Sequence, residues 1–80
     1  MLTEFASSKP LVGIKQSRKA INDGTAKSAY VARDADPGIV EPFVALCEEA
    51  GVGVVYVDTM DELGRACGIN VGAAVAVIRK

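Results

Sequence analysis

The stretch "VGVVYVDTMDELGRACGINVGAAVAVI", residues 52 to 78, decides the fold. It begins with the β-branched run "VGVVYV" at 52–57, which has the length and composition of a strand. Thr59-Met60-Asp61-Glu62 then fits the S/T-x-x-E pattern, in which a hydroxyl and a carboxylate cap each other's backbone N–H groups at a helix start. That helix is expected to be short, from Met60 to about Ala66, and to close at Gly68. Beyond a glycine-flanked loop, "GAAVAVI" at 72–78 is again strand-like. Strand, helix and strand follow directly on one another. Their apolar residues run continuously instead of alternating, as in a sheet covered on both faces.

Outward from this stretch the alternation continues. "SAYVAR" at 28–33 and "PLVG" at 10–13 are two more strand candidates, with helix patterns between all four runs. Asp36 before Pro37 is a helix start, an N-cap side chain followed by proline at the first helical position. Ile39, Val40, Phe43, Leu46, Cys47 and Ala50 form its core stripe up to Gly51. Because a proline inside a helix costs about 3 kcal/mol, Pro42 predicts an opening turn at 37–40 and a main helix from about Glu41. A further helix is expected from Ile14 to Asp23, with Gly24 supplying the left-handed residue after it. The expectation is one α/β domain spanning residues 1–80, with no internal repeat or linker.

Composition narrows the function classes. Half the residues are apolar, enough for one core. The longest mainly apolar run, "VGAAVAVI" at 71–78, falls far short of the ~20 residues that span a bilayer. "MLTEFASSKP" carries an acid at position 4 and no basic region before an apolar block, so no signal peptide is read there and a cytoplasmic protein is expected. The chain has no histidine, and Cys47 and Cys67 form no CxxC pair. The usual zinc sets cannot be assembled, no metal or cofactor is expected, and both thiols are read as reduced core residues. Without a nucleophile elbow or a Walker motif, catalysis has no visible foundation. Asp34 and Asp36 in "DADPG" could pair for acid–base work, but turn and cap roles explain them more simply.

Charge is segregated along the chain. Residues 1–33 carry six bases and two acids, net +4; residues 34–62 carry eight acids and no base, net −8; residues 63–80 carry three bases, net +3. The total of −1 hides this separation. If the two basic ends fold onto one side, that side attracts a polyanion.

The basic concentration is "GIKQSRKAINDG", residues 13–24. Ile14, Ser17 and Ile21 share one helix face, and Lys15, Arg18, Lys19 and Asn22 share the adjacent one. Cations at a helix N-terminus oppose the macrodipole, which favours acids there, so an external anion is one explanation. A strand ending in Gly13 and opening into a helix presents free N–H groups suited to phosphate. Gln16 adds a donor and an acceptor fit for a base edge. The alternative is a solvated basic face. A second unusual feature is "CGINVGAA", residues 67–74, where Ile69 and Val71 occupy a loop that would normally be polar. They either tuck into the core or form an apolar finger for a partner.

Four segments in order, "GIKQSRKAINDG", "ARDADP", "LCEEAGVGVVYV" and "ELGRACGINVGAA", resemble the successive motifs of the kink-turn RNA-binding ribosomal-protein family, the archaeal L-seven-A-e type. The resemblance spans about Lys9 to Ile78, and the Lys-Gln pair is most similar to the small bacterial members. It implies a three-layer α/β/α sandwich with one four-stranded mixed sheet covered by helices on both faces. With no visible active site a non-catalytic protein without cofactor is expected, and RNA binding through one small face would need only a monomer. Its partner would be a kink-turn in ribosomal RNA, a riboswitch or another structured RNA.

By position, the resemblance assigns close backbone approach to Gly13, and contact with the guanines of tandem G·A pairs to Lys15 and Gln16. Lys19 would reach guanine or phosphate, and Arg18 phosphate only. Ile69, Asn70, Val71, Gly72 and Ala73 match the segment that packs against bulged nucleotides. Archaeal and eukaryotic members usually carry Asn-Glu where this chain has Lys15-Gln16. A neutral amide replaces a carboxylate there, and a flexible cation replaces a planar amide. The rival expectation is a small-ligand or nucleotide-binding α/β domain, with the helix N-terminus and "DADPG" flanking a phosphate pocket.

Overall fold

The structure is a computed structural model, and it describes residues 10–80. The N-terminal stretch in which no leader was read, and Lys9, lie outside the described residues. In chain order the elements are β1 (Leu11–Val12), α1 (Ile14–Asn22), β2 (Ala26–Ala32), α2 (Pro37–Ala50), β3 (Gly53–Val57), α3 (Met60–Ala66) and β4 (Val75–Arg79). The strands form one sheet in the order β1-β4-β2-β3. β2 and β3 are parallel, while β4 runs antiparallel to both β1 and β2, so the sheet is mixed as expected.

The central strands β2 and β4 are the most deeply buried because helices cover both their faces. Ala29, Val31, Val75 and Val77 point to one face, where they meet Ala20 and Ile21 of α1 and Phe43 and Cys47 of α2. Tyr30, Ala32, Ala76 and Ile78 point to the other, against Leu63 of α3 and Ala73. Every one of these side chains is buried, which is why both strands read as continuous apolar runs. Among the described residues three layers result: two helices, the sheet, one helix.

The expected break before α2 does not occur; the helix runs unbroken from Pro37. Asp36 accepts from the Gly38 N–H at 2.9 Å, and its carbonyl accepts from Ile39 and Val40, so the first turn is already closed when the chain reaches Pro42. Gly38 and Pro42 are both exposed, which leaves the carbonyl that Pro42 cannot bond open to solvent. Phe43 and Cys47, on the opposite side, hold the helix to the sheet. Tertiary packing thus overrides the proline penalty. β4 begins at Val75, later than the apolar run suggests, because the Ala73 N–H is given to the Met60 carbonyl instead of a neighbouring strand.

Both cysteines are free thiols, as expected. Cys47 is core, whereas Cys67 is only half-buried, packed at the margin of the α3-side cluster.

Candidate nucleic-acid interface

The mixed topology gathers four connections at one end of the sheet. β1, β2 and β3 all finish there and each leads directly into a helix, while antiparallel β4 starts there after the 67–74 loop. Three helix N-termini and one glycine-rich loop therefore share that end.

The three N-termini are treated differently. At α2, Asp36 caps Gly38. At α3, the Thr59 hydroxyl accepts from the Glu62 N–H at 3.0 Å, Asp61 and Glu62 occupy the first turn, and the Asp34 carboxylate accepts from the Met60 N–H at 2.8 Å. At α1, the N-cap is Gly13, which has no side chain to cap with, and the first turn holds no acid. Among the described residues no side chain takes its leading N–H groups, which leaves them for solvent or a ligand.

Gly13 sits at φ 101°, a region that only glycine occupies without strain. A Cβ there would meet no atom within 4 Å, so the space over the helix start is open. Ser17, Ala20 and Ile21 are buried, while Lys15, Gln16, Arg18 and Lys19 are exposed. Lys15, Arg18, Lys19 and Asn22 border a shallow groove on the expected basic face. One part of the electrostatic argument narrows: Lys19 falls in the last turn of this nine-residue helix, where a cation suits the macrodipole. Lys15 alone stands against it.

The 67–74 loop lies beside this helix start. Val12 pairs with Ala76, and the Gly13 N–H donates to the Val75 carbonyl at 3.2 Å, so the chain leaving the loop runs directly alongside Gly13. Within the loop the residues divide. Val71 projects with 70% of its surface exposed, and Asn70 and Gly72 are also exposed. Ile69 instead packs against the α3-side core, and Ala73 is buried. The apolar finger is therefore one side chain, Val71, carried on an anchored base.

Two supports of that base escaped sequence reasoning. Gly64, in the middle of α3, has no room for a side chain: a Cβ would overlap the Val71 carbonyl oxygen. A glycine inside a short helix costs about 1 kcal/mol relative to alanine, and that anomaly was the available signal. The second is Asp34, whose capped amide lies 26 residues further on and leaves no trace in the local pattern.

The remaining chemistry is sparse. Burial, and to a lesser degree Glu48, pushes the Cys47 thiol up to about 11, and burial raises Cys67 as well, so neither favours thiolate at neutral pH. Among the described residues no cluster of three or more His, Cys, Asp or Glu could hold a metal ion, and no helix is long and apolar enough to cross a membrane.

Comparison with known proteins agrees with this architecture. The model of the ribosomal protein L7Ae/L30e/S12e/Gadd45 family matches residues 6–80. A protein named RNA-binding protein from Caldanaerobacter subterraneus subsp. tengcongensis is 45% identical over 75 residues, covering 94% of this chain and 92% of that one. The RNA-binding protein YbxF of Geobacillus stearothermophilus is 47% identical over 72 residues, covering 89% and 88%. Among solved structures, the Giardia lamblia 15.5kD RNA binding protein superposes with a TM-score of 0.86 at 35% identity, covering 99% of this chain and 68% of that one. With a matching family model over nearly its whole length and the mixed sheet in place, the chain belongs to the ribosomal protein L7Ae/L30e/S12e/Gadd45 family.

Proposed function

We propose that this chain is a non-catalytic RNA-binding protein that recognises kink-turns in structured RNA, acting as a monomer in the cytoplasm. The observation that carries the reading is the uncapped, acid-free start of α1 beside the projecting Val71. An RNA partner is also what the names of its relatives state of those proteins. A kink opens the RNA major groove, which ordinary A-form geometry closes to side chains, and a helix start bearing Lys15 and Gln16 fits such an opening. Lys15 and Gln16 face the guanines of the G·A pairs across the open space over Gly13, Lys19 reaches guanine or phosphate, and Arg18 supports the backbone. Val71, flanked by Asn70 and Gly72, packs against a bulged nucleotide; Ile69 and the buried Ala73 hold that loop in place. Ribosomal RNA, a riboswitch or another structured transcript supplies the target.

The nucleotide-pocket alternative loses support on its "DADPG" side, where Asp36 and Asp34 already accept from the Gly38 and Met60 N–H groups. Gel shifts at fixed salt with a kink-turn RNA, and with the same RNA whose G·A pairs are replaced, test the proposal. A clear preference for the intact kink-turn is expected. Equal affinity for the two RNAs would leave only general polyanion binding.

A further inference from the structure

We infer that Asp34 is a positioning residue for the Val71 loop, a role that rests on the proposed RNA-binding reading. The chain of contacts is short and continuous. The Asp34 carboxylate accepts from the Met60 N–H at 2.8 Å, and the Met60 carbonyl accepts from the Ala73 N–H at 3.0 Å. Gly72 lies so close to Met60 that a Cβ would come within 2.9 Å of the Met60 Cβ. One residue, Met60, thus carries Asp34 on its amide and the loop on its carbonyl and side chain.

The flanking contacts show why the carboxylate is placed there. Ala32 donates to the Ala74 carbonyl at 2.9 Å and Arg33 to the Val57 carbonyl at 2.7 Å, so the turn bearing Asp34 is itself tied to both neighbouring strands. Asp34 bridges that fixed turn to the first residue of α3. A carboxylate also suits the positive end of a helix. On the far side the loop is held by the Ile69 N–H on the Gly64 carbonyl, at 3.1 Å. Between these two anchors Val71 projects.

This inference predicts a sign opposite to simple charge. Asp34 is an exposed acid at the sheet end where the polyanion is proposed to dock. Removing it should strengthen RNA binding if charge were its only contribution. A positioning role predicts the reverse for Asp34→Ala, about threefold to tenfold weaker binding if the stability of a lost cap, about 1 kcal/mol, must be recovered when RNA orders the loop. Asp34→Asn removes the same charge but keeps a side-chain carbonyl acceptor, and should bind at least as tightly as the unaltered protein.

The experiment has an RNA-free and an RNA-dependent arm. Amide hydrogen exchange on the free protein should show faster exchange at Met60 and Ala73 in Asp34→Ala, with Val77 in β4 unchanged as the reference for global opening, and protection restored in Asp34→Asn. Gel shifts of the same variants on kink-turn RNA should follow that order. Unchanged exchange at Ala73 in Asp34→Ala overturns the inference, and so does tighter RNA binding by Asp34→Ala. Lys19→Ala, measured alongside, reports on the RNA reading alone: a kink-turn affinity unmoved by it overturns that reading, while the exchange arm still decides whether Asp34 holds the loop.

Discussion

The starts of α1 and α3 emerge at the same end of one sheet, each directly after a strand, and both carry the positive end of a helix dipole. α3 spends its own residues on that end: a threonine cap, two acids in the first turn and a third carboxylate borrowed from the β2–α2 turn. α1 has a glycine, no cap, and Lys15 where an acid would be favourable. A carboxylate at such a position is worth about 0.3–1 kcal/mol. The same chain therefore uses the standard solution at α3 and withholds it at α1. The difference separates a helix start whose caps are tied to a loop from one left without them, at the place where RNA is proposed to dock.

The largest effect is expected on the α3 side. In Gly64→Ala the added methyl gains about 1 kcal/mol of helix propensity. It also collides with backbone at Val71, which cannot withdraw without straining the Ile69 and Ala73 hydrogen bonds. Overpacking of this kind costs about 1–3 kcal/mol, and with backbone as the obstacle the upper end applies, for a net loss of about 2 kcal/mol. Urea unfolding followed by far-UV circular dichroism measures it. A stability equal to that of the unaltered protein would mean that the loop moves aside freely and that α3 does not fix Val71.

On the α1 side Lys19→Ala should leave unfolding nearly untouched, because the side chain is exposed. It should weaken kink-turn binding by about 1–3 kcal/mol if it reads a base. The pair of variants thus splits stability from binding across the two helix starts. Loss of stability in Lys19→Ala comparable to that in Gly64→Ala would erase the distinction.

How much of this was legible follows the range of the interactions involved. The strand–helix alternation, the Thr59 cap, the Asp36–Pro37 start and the basic face of α1 are encoded within a few residues, and each stands where its local pattern puts it; of the capping box only the Thr59 half is formed. Pro42 misled because its local penalty is offset by Phe43 and Cys47 packing on the sheet, a contact between distant segments. The same limit explains the 69–73 loop: "INVGA" shows two large apolar residues, but which of them is buried depends on how the loop crosses α3. Ile69 turns inward and Val71 outward. Asp34 on Met60 was illegible for the same reason.

Thr59→Ala tests the closed helix start with a smaller effect. Removing the hydroxyl that accepts from Glu62 should cost about 1 kcal/mol of stability, the usual value of an N-cap. Because Asp34 still holds Met60, the loop should stay in place and kink-turn affinity should fall by less than in Asp34→Ala. Urea midpoints and gel shifts on the same samples give both numbers. If RNA binding falls as far as it does in Asp34→Ala, the caps act as one unit and Asp34 has no separate hold on the loop.

Gln16→Glu gives the open start of α1 the acid it lacks, and is expected to change stability only slightly. The site is exposed and in the first turn, so the free protein should become more stable by about 0.5 kcal/mol. A helix start shaped only by local energetics would show that gain and nothing more. Near RNA the carboxylate does two further things: it repels phosphate, lowering affinity for any RNA, and it accepts guanine N–H groups with charge assistance. The general affinity should therefore fall while the preference for intact G·A pairs over replaced ones holds or rises. Gel shifts with both RNAs at two salt concentrations separate these effects, since the repulsion weakens with added salt and a direct hydrogen bond does so much less. A preference that collapses in Gln16→Glu while the stability gain appears would show that a carboxylate cannot accept from the guanines there, and would overturn the acceptor role given to Gln16.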